Sequence, residues 1–214
     1  MKNYQYILLD WDGNLVKTLD LWLEACRVPL VKRGLHLTDE EIADSFGAFG
    51  QYIKKWGLTD TDAIFEEADE IAKQLLPNVE LYPDTLEVLG ELKVRGKKLA
   101  LITTSIRENI QYVLGQYNMS GYFDVIVAGD DVKNHKPHAE PLERAINILG
   151  GTKEQSIMIG DSDKDLGASA NAGIDSVLFY PPEHRKFYDL DKLQEYKPTY
   201  VIDDFRKLLQ IIGD

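Results

Sequence analysis

Asp10-Trp11-Asp12-Gly13 follows the apolar run Tyr6-Ile7-Leu8-Leu9, so two carboxylates leave the end of an expected strand with one residue between them. In extended backbone the middle side chain of Asp-x-Asp points the opposite way, and Asp10 and Asp12 then share a face. Carboxylates so placed repel unless a cation or a proton lies between them. The chemistry this predicts is a Mg²⁺ site coupled to a proton shuttle. The plainer alternative is a polar turn capping a strand, with Gly13 as its permissive backbone. Three further segments bear on the choice. Thr103-Thr104-Ser105 follows an apolar run and offers hydroxyls and free N–H groups at a helix start, fit to hold an anion or simply to cap the helix. Lys136 precedes Pro137 in a polar loop, where a lone lysine is ordinarily solvated. Ile157-Met158-Ile159-Gly160 runs into Asp161-Ser162-Asp163-Lys164-Asp165. Acids at a helix start commonly serve only its dipole, yet Asp161 leaves its strand as Asp10 leaves its own, so the two can converge on one ion.

The elements that must position these residues fall into two textures. After Gly13 the apolar spacing is helical: Leu19, Trp22, Leu23, Cys26 and Leu30 share a face, with Pro29 expected to kink or shorten that helix. Thr38-Asp39-Glu40-Glu41 reads as a capping box, a short helix is expected over 51–56, and a longer one runs from Thr59 or Asp60 to Pro77. From Pro83, which is expected to open a helix, helices alternate with short apolar strands at 98–103, 123–128, 156–160, 176–180 and 200–202. Ser105 is the expected cap of the helix that runs to Tyr117. Such alternation predicts an α/β fold, a doubly wound parallel sheet with a Rossmann-like core and an inserted all-helical cap. The expected boundaries are 1–16 and 80–214 for the core and 17–79 for the cap. Strand ends and the loops beyond them, where the polar segments fall, are where such folds bind ligands.

Composition narrows the function classes. A chain of 214 residues has room for one large domain or a domain with an inserted module. The net charge of −12 repels nucleic-acid backbones and anionic membranes, so neither is an expected partner. A phosphorylated ligand meets the same field, and its site needs local positive sources: a metal, a placed lysine or helix N-termini. Cys26 is the single cysteine, which excludes an internal disulfide and a multi-cysteine metal centre and fits a reducing cytoplasm. No apolar run has the length of a signal-peptide core or a membrane span. Monomer and homodimer both fit.

Taken in order, with a helical insert after the first, the four polar segments resemble those of the haloacid dehalogenase superfamily over Tyr6 to about Gly173. The branch resembled is the one containing phosphoglycolate phosphatase-like and beta-phosphoglucomutase-like proteins. The resemblance implies that Asp10 attacks phosphorus, and that Asp12 acts as acid and then base while its backbone carbonyl binds Mg²⁺. Thr103 resembles the hydroxyl that binds the transferring phosphoryl group, Lys136 the lysine that neutralises it, and Asp161 the acidic metal ligand. Asp165 fits the last acid of Gly-Asp-Ser-x-x-Asp, placed with the metal residues as an outer-sphere partner. Asn14 stands where the family usually has Thr, and Thr104 where many relatives carry Asn; both keep side-chain hydrogen bonding. Family members that expel halide typically lack an acid at the position of Asp12, so phosphate transfer is the expected chemistry.

The cap is expected to choose the substrate, through Gly47-Ala48-Phe49-Gly50-Gln51, with Gly47, Gln51 and Thr104 as contacts and Lys54 and Lys55 as anion partners. Trp22 and Trp56 are expected in the core, and His135 and His138 carry no zinc role without a third ligand. The function expected is a Mg²⁺-dependent phosphatase of a small phosphomonoester metabolite, working through an aspartyl-phosphate. A phosphosugar mutase on the same core and a silent member that binds a phosphorylated ligand or a protein are the alternatives.

Overall fold

The structure, a computed structural model, describes residues 2–213. Its strands are β1 (Tyr6–Leu9), β2 (Lys98–Ile102), β3 (Val125–Val127), β4 (Ser156–Gly160), β5 (Asp175–Phe179) and β6 (Tyr200–Ile202). Among the described residues they form one sheet in the order β3-β2-β1-β4-β5-β6, parallel throughout. The helices are α1 (Leu19–Lys32), α2 (Asp39–Ala43), α3 (Phe49–Lys55), α4 (Thr61–Leu75), α5 (Thr85–Val94), α6 (Arg107–Gln116), α7 (Glu140–Leu149), α8 (Asp163–Ala172), α9 (Leu190–Gln194) and α10 (Leu208–Ile212).

A parallel sheet buried on both faces explains the unbroken apolar runs of β1, β2 and β4. Alternation still sorts their side chains. Ile7, Leu9, Leu99, Leu101, Ile157 and Ile159 enter one core, packed with Val88, Leu92, Ile110 and Leu208. Leu8, Ala100, Ile102 and Met158 enter the other, under Leu142, Ala145, Ala168 and Ala172 of α7 and α8. A third cluster is centred on the helices inserted between β1 and β2, joining Leu19, Leu23, Cys26, Ile42, Phe49, Ile53 and Ile64 with Phe187 from beyond β5. Leu21, Ala25 and Ala72 of α1 and α4 face the sheet-side core instead. The inserted layer therefore sits on the sheet domain through two of its own helices.

Local signals hold with three corrections. The Thr38–Glu41 capping box forms in both directions. Helix α1 continues through Pro29 to Lys32, with Pro29 and Leu30 buried, so tertiary packing overrides the helix-breaking tendency. Pro83 lies outside α5, which begins at Thr85 after an Asp84 in the left-handed conformation. The residue at the N-cap of α6 is Ile106, not Ser105, and the first N–H of that helix, that of Arg107, donates to Asp130 Oδ1 at 3.1 Å.

Candidate active site

Strand order reverses at β1, which pairs with β2 on one side and β4 on the other. That is the position at which an open α/β sheet leaves a crevice beyond its strand ends. Asp10 follows β1 and its N–H donates to the Ile159 carbonyl at 2.9 Å, while Asp161 follows β4 directly, so the register sets the two acids side by side. The carboxylate oxygens of Asp10, Asp161 and Asp165 lie within 4.8 Å of one another, all three residues buried. Gly160 permits this crowding, since a Cβ there would stand 2.3 Å from Asp165 Cγ.

Lys136 reaches the same cluster. Its Nζ donates to Asp10 Oδ1 at 2.5 Å, Asp165 Oδ1 at 2.6 Å and the Ile102 carbonyl at 3.1 Å. Burial alone would favour its neutral form, and the carboxylates of Asp10 and Asp165 more than reverse this, raising its pKa. One buried ammonium thus serves three buried carboxylates. Burial, then repulsion from Asp165, pushes Asp10 up to about 8 against the pull of Lys136. Asp161 is raised as well, by burial first and then by Asp10 and Asp165. An additional cation would remove that imbalance.

The donor set fits Mg²⁺, which takes oxygen ligands and needs only one or two protein carboxylates. Asp161 Oδ2 is buried without a hydrogen-bond partner. Gly13 keeps the space beside it clear: its φ is +73°, and a Cβ there would fall 2.1 Å from that oxygen. Asp165 is already committed, Oδ1 to Lys136 and Oδ2 to the N–H and hydroxyl of Ser162 at 3.2 and 2.6 Å. Its arrangement suits an outer-sphere place.

Asp12 contributes no carboxylate oxygen to the cluster of Asp10, Asp161 and Asp165. Its side chain is turned to other partners, Oδ1 accepting from Thr18 Oγ1 and Trp22 Nε1 at 2.7 Å each, and Oδ2 from Ser105 Oγ at 2.7 Å and Thr103 Oγ1 at 3.4 Å. The alternation rule applies to regular strand, and the chain leaves β1 at Leu9. Trp22 was expected in the core; it is partly buried and uses its indole N–H here. Ser105 was expected as a helix cap and is recruited by Asp12 instead. The signals for Trp22 and Thr18 were their spacing of four on the first turn of α1, just after the Asp12 loop. Asn14 Nδ2 donates to the Asp10 carbonyl at 3.0 Å, bracing the turn that carries Asp10, while its Oδ1 has no hydrogen-bond partner.

Two adjoining spaces open from these residues. A cavity of about 50 Å³ is bordered by Asp10, Asp12, Lys136 and Asp161. A cleft of about 530 Å³ is bordered by Asp12, Trp22, Phe65 and His135, by Gly47 and Gln51 of the inserted layer, and by Thr104 and Ser105 of the core. Gly47, Gln51 and Thr104 thus all border the larger cleft. Lys54 and Lys55 border neither space, and Lys55 Nζ lies over the Tyr52 ring at 5.0 Å, because their helix face is turned to solvent. His138 Nδ1 accepts from the Glu140 N–H at 3.1 Å.

A parallel sheet with an acid cluster at its switch point and a helical layer inserted after its first strand defines a Rossmann-like α/β hydrolase. Residues 7–179 match the model of the haloacid dehalogenase-like hydrolases, and the chain belongs to that family. It is 32% identical over 220 residues to "Pyrophosphatase PpaX" of Halalkalibacterium halodurans, covering 97% of this chain and 96% of that protein. A Bacteroides fragilis structure provisionally named a haloacid dehalogenase-like hydrolase superposes with a TM-score of 0.83 at 28% identity, covering 97% of this chain and 100% of that one. A hydrolase from Pseudomonas syringae shares the fold, with a TM-score of 0.84 at 20% identity over 98% of this chain and all of its own.

Proposed function

We propose that the protein is a Mg²⁺-dependent phosphatase of a small phosphomonoester, with Asp10 as nucleophile, Asp12 as proton shuttle and the 17–79 layer as the cap over the site. The observation that carries it is the division of labour between two acids of one motif. Asp10 lies in the cluster with Lys136 and Asp161, while Asp12 stands where the small cavity meets the large cleft. A phosphoryl group in the small cavity sits against Asp10 and Lys136, and the oxygen linking it to the leaving group sits toward Asp12.

Asp10, the backbone carbonyl of Asp12 and Asp161 would hold Mg²⁺, which when bound supplies positive charge to the phosphoryl oxygens. Lys136 adds positive charge to the phosphoryl group and, through Asp10 Oδ1, fixes the nucleophile in line. Asp10 forms the phosphorus–oxygen bond as the bond to the leaving oxygen breaks. Asp12 delivers the proton that the departing alkoxide needs, then takes one from the water that hydrolyses the aspartyl-phosphate. Thr103, whose Oγ1 accepts the Ser105 N–H at 3.0 Å, lies beside this path as a phosphoryl contact. A binding module has no use for a nucleophile and a shuttle together, which weighs against a silent member.

Phosphate release from a panel of phosphomonoesters with Mg²⁺ tests the proposal, alongside acid-stable trapping of phosphate on the chain. Wild-type turnover by Asp10→Asn overturns it. An isomerised product in place of free phosphate assigns the site to a mutase.

A further inference from the structure

Positive charge is distributed unevenly over the two spaces. Lys136 and Lys164 border the small cavity. Among the described residues no Lys or Arg borders the large cleft; its acidic side chains are those of Asp12 and Asp69, the latter paired with Lys73 at 2.6 Å, and His135 lies on its wall. Its walls are aromatic instead. Phe49 and Phe65 meet edge to face with centroids 5.6 Å apart, and Trp22 and Phe46 extend the apolar surface toward Asp12. Gln51, Asn109 and Thr104 contribute a few neutral hydrogen-bonding groups.

We propose, resting on the phosphatase reading above, that the substrate's leaving group is uncharged and bulky, with an aromatic or branched hydrocarbon body. Substrates with a second anion beside the transferred phosphate are selected against. An anion entering the cleft loses water and finds no Lys or Arg on its walls, so it is rejected chiefly by lost contacts, Asp69 being paired with Lys73 at 2.6 Å. Apolar walls with a few neutral polar groups are the usual lining of a site for an uncharged ring-sized group, and about 530 Å³ accommodates one. Pyrophosphate would place a phosphate where, among the described residues, the cleft offers no Lys or Arg. By this reading the chain differs in substrate from the pyrophosphatase it resembles. Phosphoglycolate would place its carboxylate there and is disfavoured for the same reason.

The test compares kcat/KM of the Mg²⁺-loaded enzyme for benzyl phosphate, phosphoglycolate and pyrophosphate. Benzyl phosphate is expected to exceed each anionic competitor by about tenfold or more. Equal or faster turnover of phosphoglycolate or pyrophosphate overturns the inference and leaves the phosphatase reading standing. Release of phosphate from none of the three overturns both. A second variant keeps the test independent of overall rate. Phe65 borders the cleft and is 44% exposed, so Phe65→Lys is expected to be tolerated by the fold. It should raise the phosphoglycolate-to-benzyl phosphate ratio by about tenfold. An unchanged ratio in the folded variant counts against the assigned position of the leaving group and overturns the inference.

Discussion

Ser105 Oγ donates to Asp12 Oδ2 at 2.7 Å, tying the second acid of the motif to the loop after β2. Thr18 and Trp22 hold the opposite oxygen from the α1 side. In the proposed mechanism Asp12 transfers a proton and must be aimed, and these donors would aim it. Ser105→Ala is expected to lower kcat by about tenfold to a hundredfold with little change in KM, because the lost donor positions Asp12 rather than binding substrate. Trp22→Phe should act in the same direction. Steady-state kinetics at saturating Mg²⁺ check both.

Lys136 neutralises buried carboxylates whether or not substrate is bound. Lys136→Met is expected to cost about 3 kcal/mol or more of stability without Mg²⁺, since breaking a buried pair strands its partners. Urea unfolding in the presence of chelator measures this. Hydrolysis should fall in the same variant by about a thousandfold, the scale of a lost electrostatic contact to the transferring group.

Asp161 keeps an oxygen without a partner. Mg²⁺ should therefore raise the thermal midpoint of the wild-type chain, by the equivalent of about 2.7 kcal/mol at a hundredfold excess over Kd. Asp161→Asn is expected to lose most of that gain while remaining folded. Differential scanning calorimetry with and without Mg²⁺ reads the difference independently of turnover.

Gly13 serves the same oxygen from the other side. Gly13→Ala forces a Cβ to within 2.1 Å of Asp161 Oδ2 at a φ of +73°. The expected outcome is a loss of about 1 to 3 kcal/mol and of the Mg²⁺-dependent gain in thermal midpoint.

His184 is fully buried, with Nε2 2.7 Å from the Tyr82 hydroxyl, and burial lowers its pKa to about 3. The unfolded chain protonates it near 6.5, so between 6.5 and 3 the unfolded state binds the additional proton. Its contribution to stability is present above 6.5 and is lost as the pH falls toward 3. Between pH 7 and pH 5 the wild-type chain should lose about 2 kcal/mol relative to His184→Gln, which does not titrate. Urea midpoints at the two pH values test the sign.

Much of this was legible in sequence for a physical reason. Leu9-Asp10 and Gly160-Asp161 each join a buried strand to an acid, and period, burial and punctuation reveal such junctions locally. The inserted helices were legible from their 3.6-residue spacing and the Thr38 box. The partners of Asp12 were not. Ser105 lies 93 residues away in sequence, and nothing near it distinguishes a helix cap from a donor to a distant acid. Trp22 has an apolar face that belongs in a core and an N–H that does not, and sequence displays only the first. Lys54 and Lys55 illustrate the reverse: a charge near an expected substrate loop carries no information until its helix face is known.

The attachment of Asp12 to both layers joins enclosure to reactivity. If the inserted helices part from the core, Thr18 and Trp22 leave one Asp12 oxygen while Ser105 and Thr103, on the same core as Asp12, stay on the other. On the proposed mechanism, a phosphorylated Asp10 in an opened site would meet bulk water with Asp12 held from the core side alone. On the proposed mechanism, the two donors from α1 would make closure of the layers set how firmly Asp12 is held.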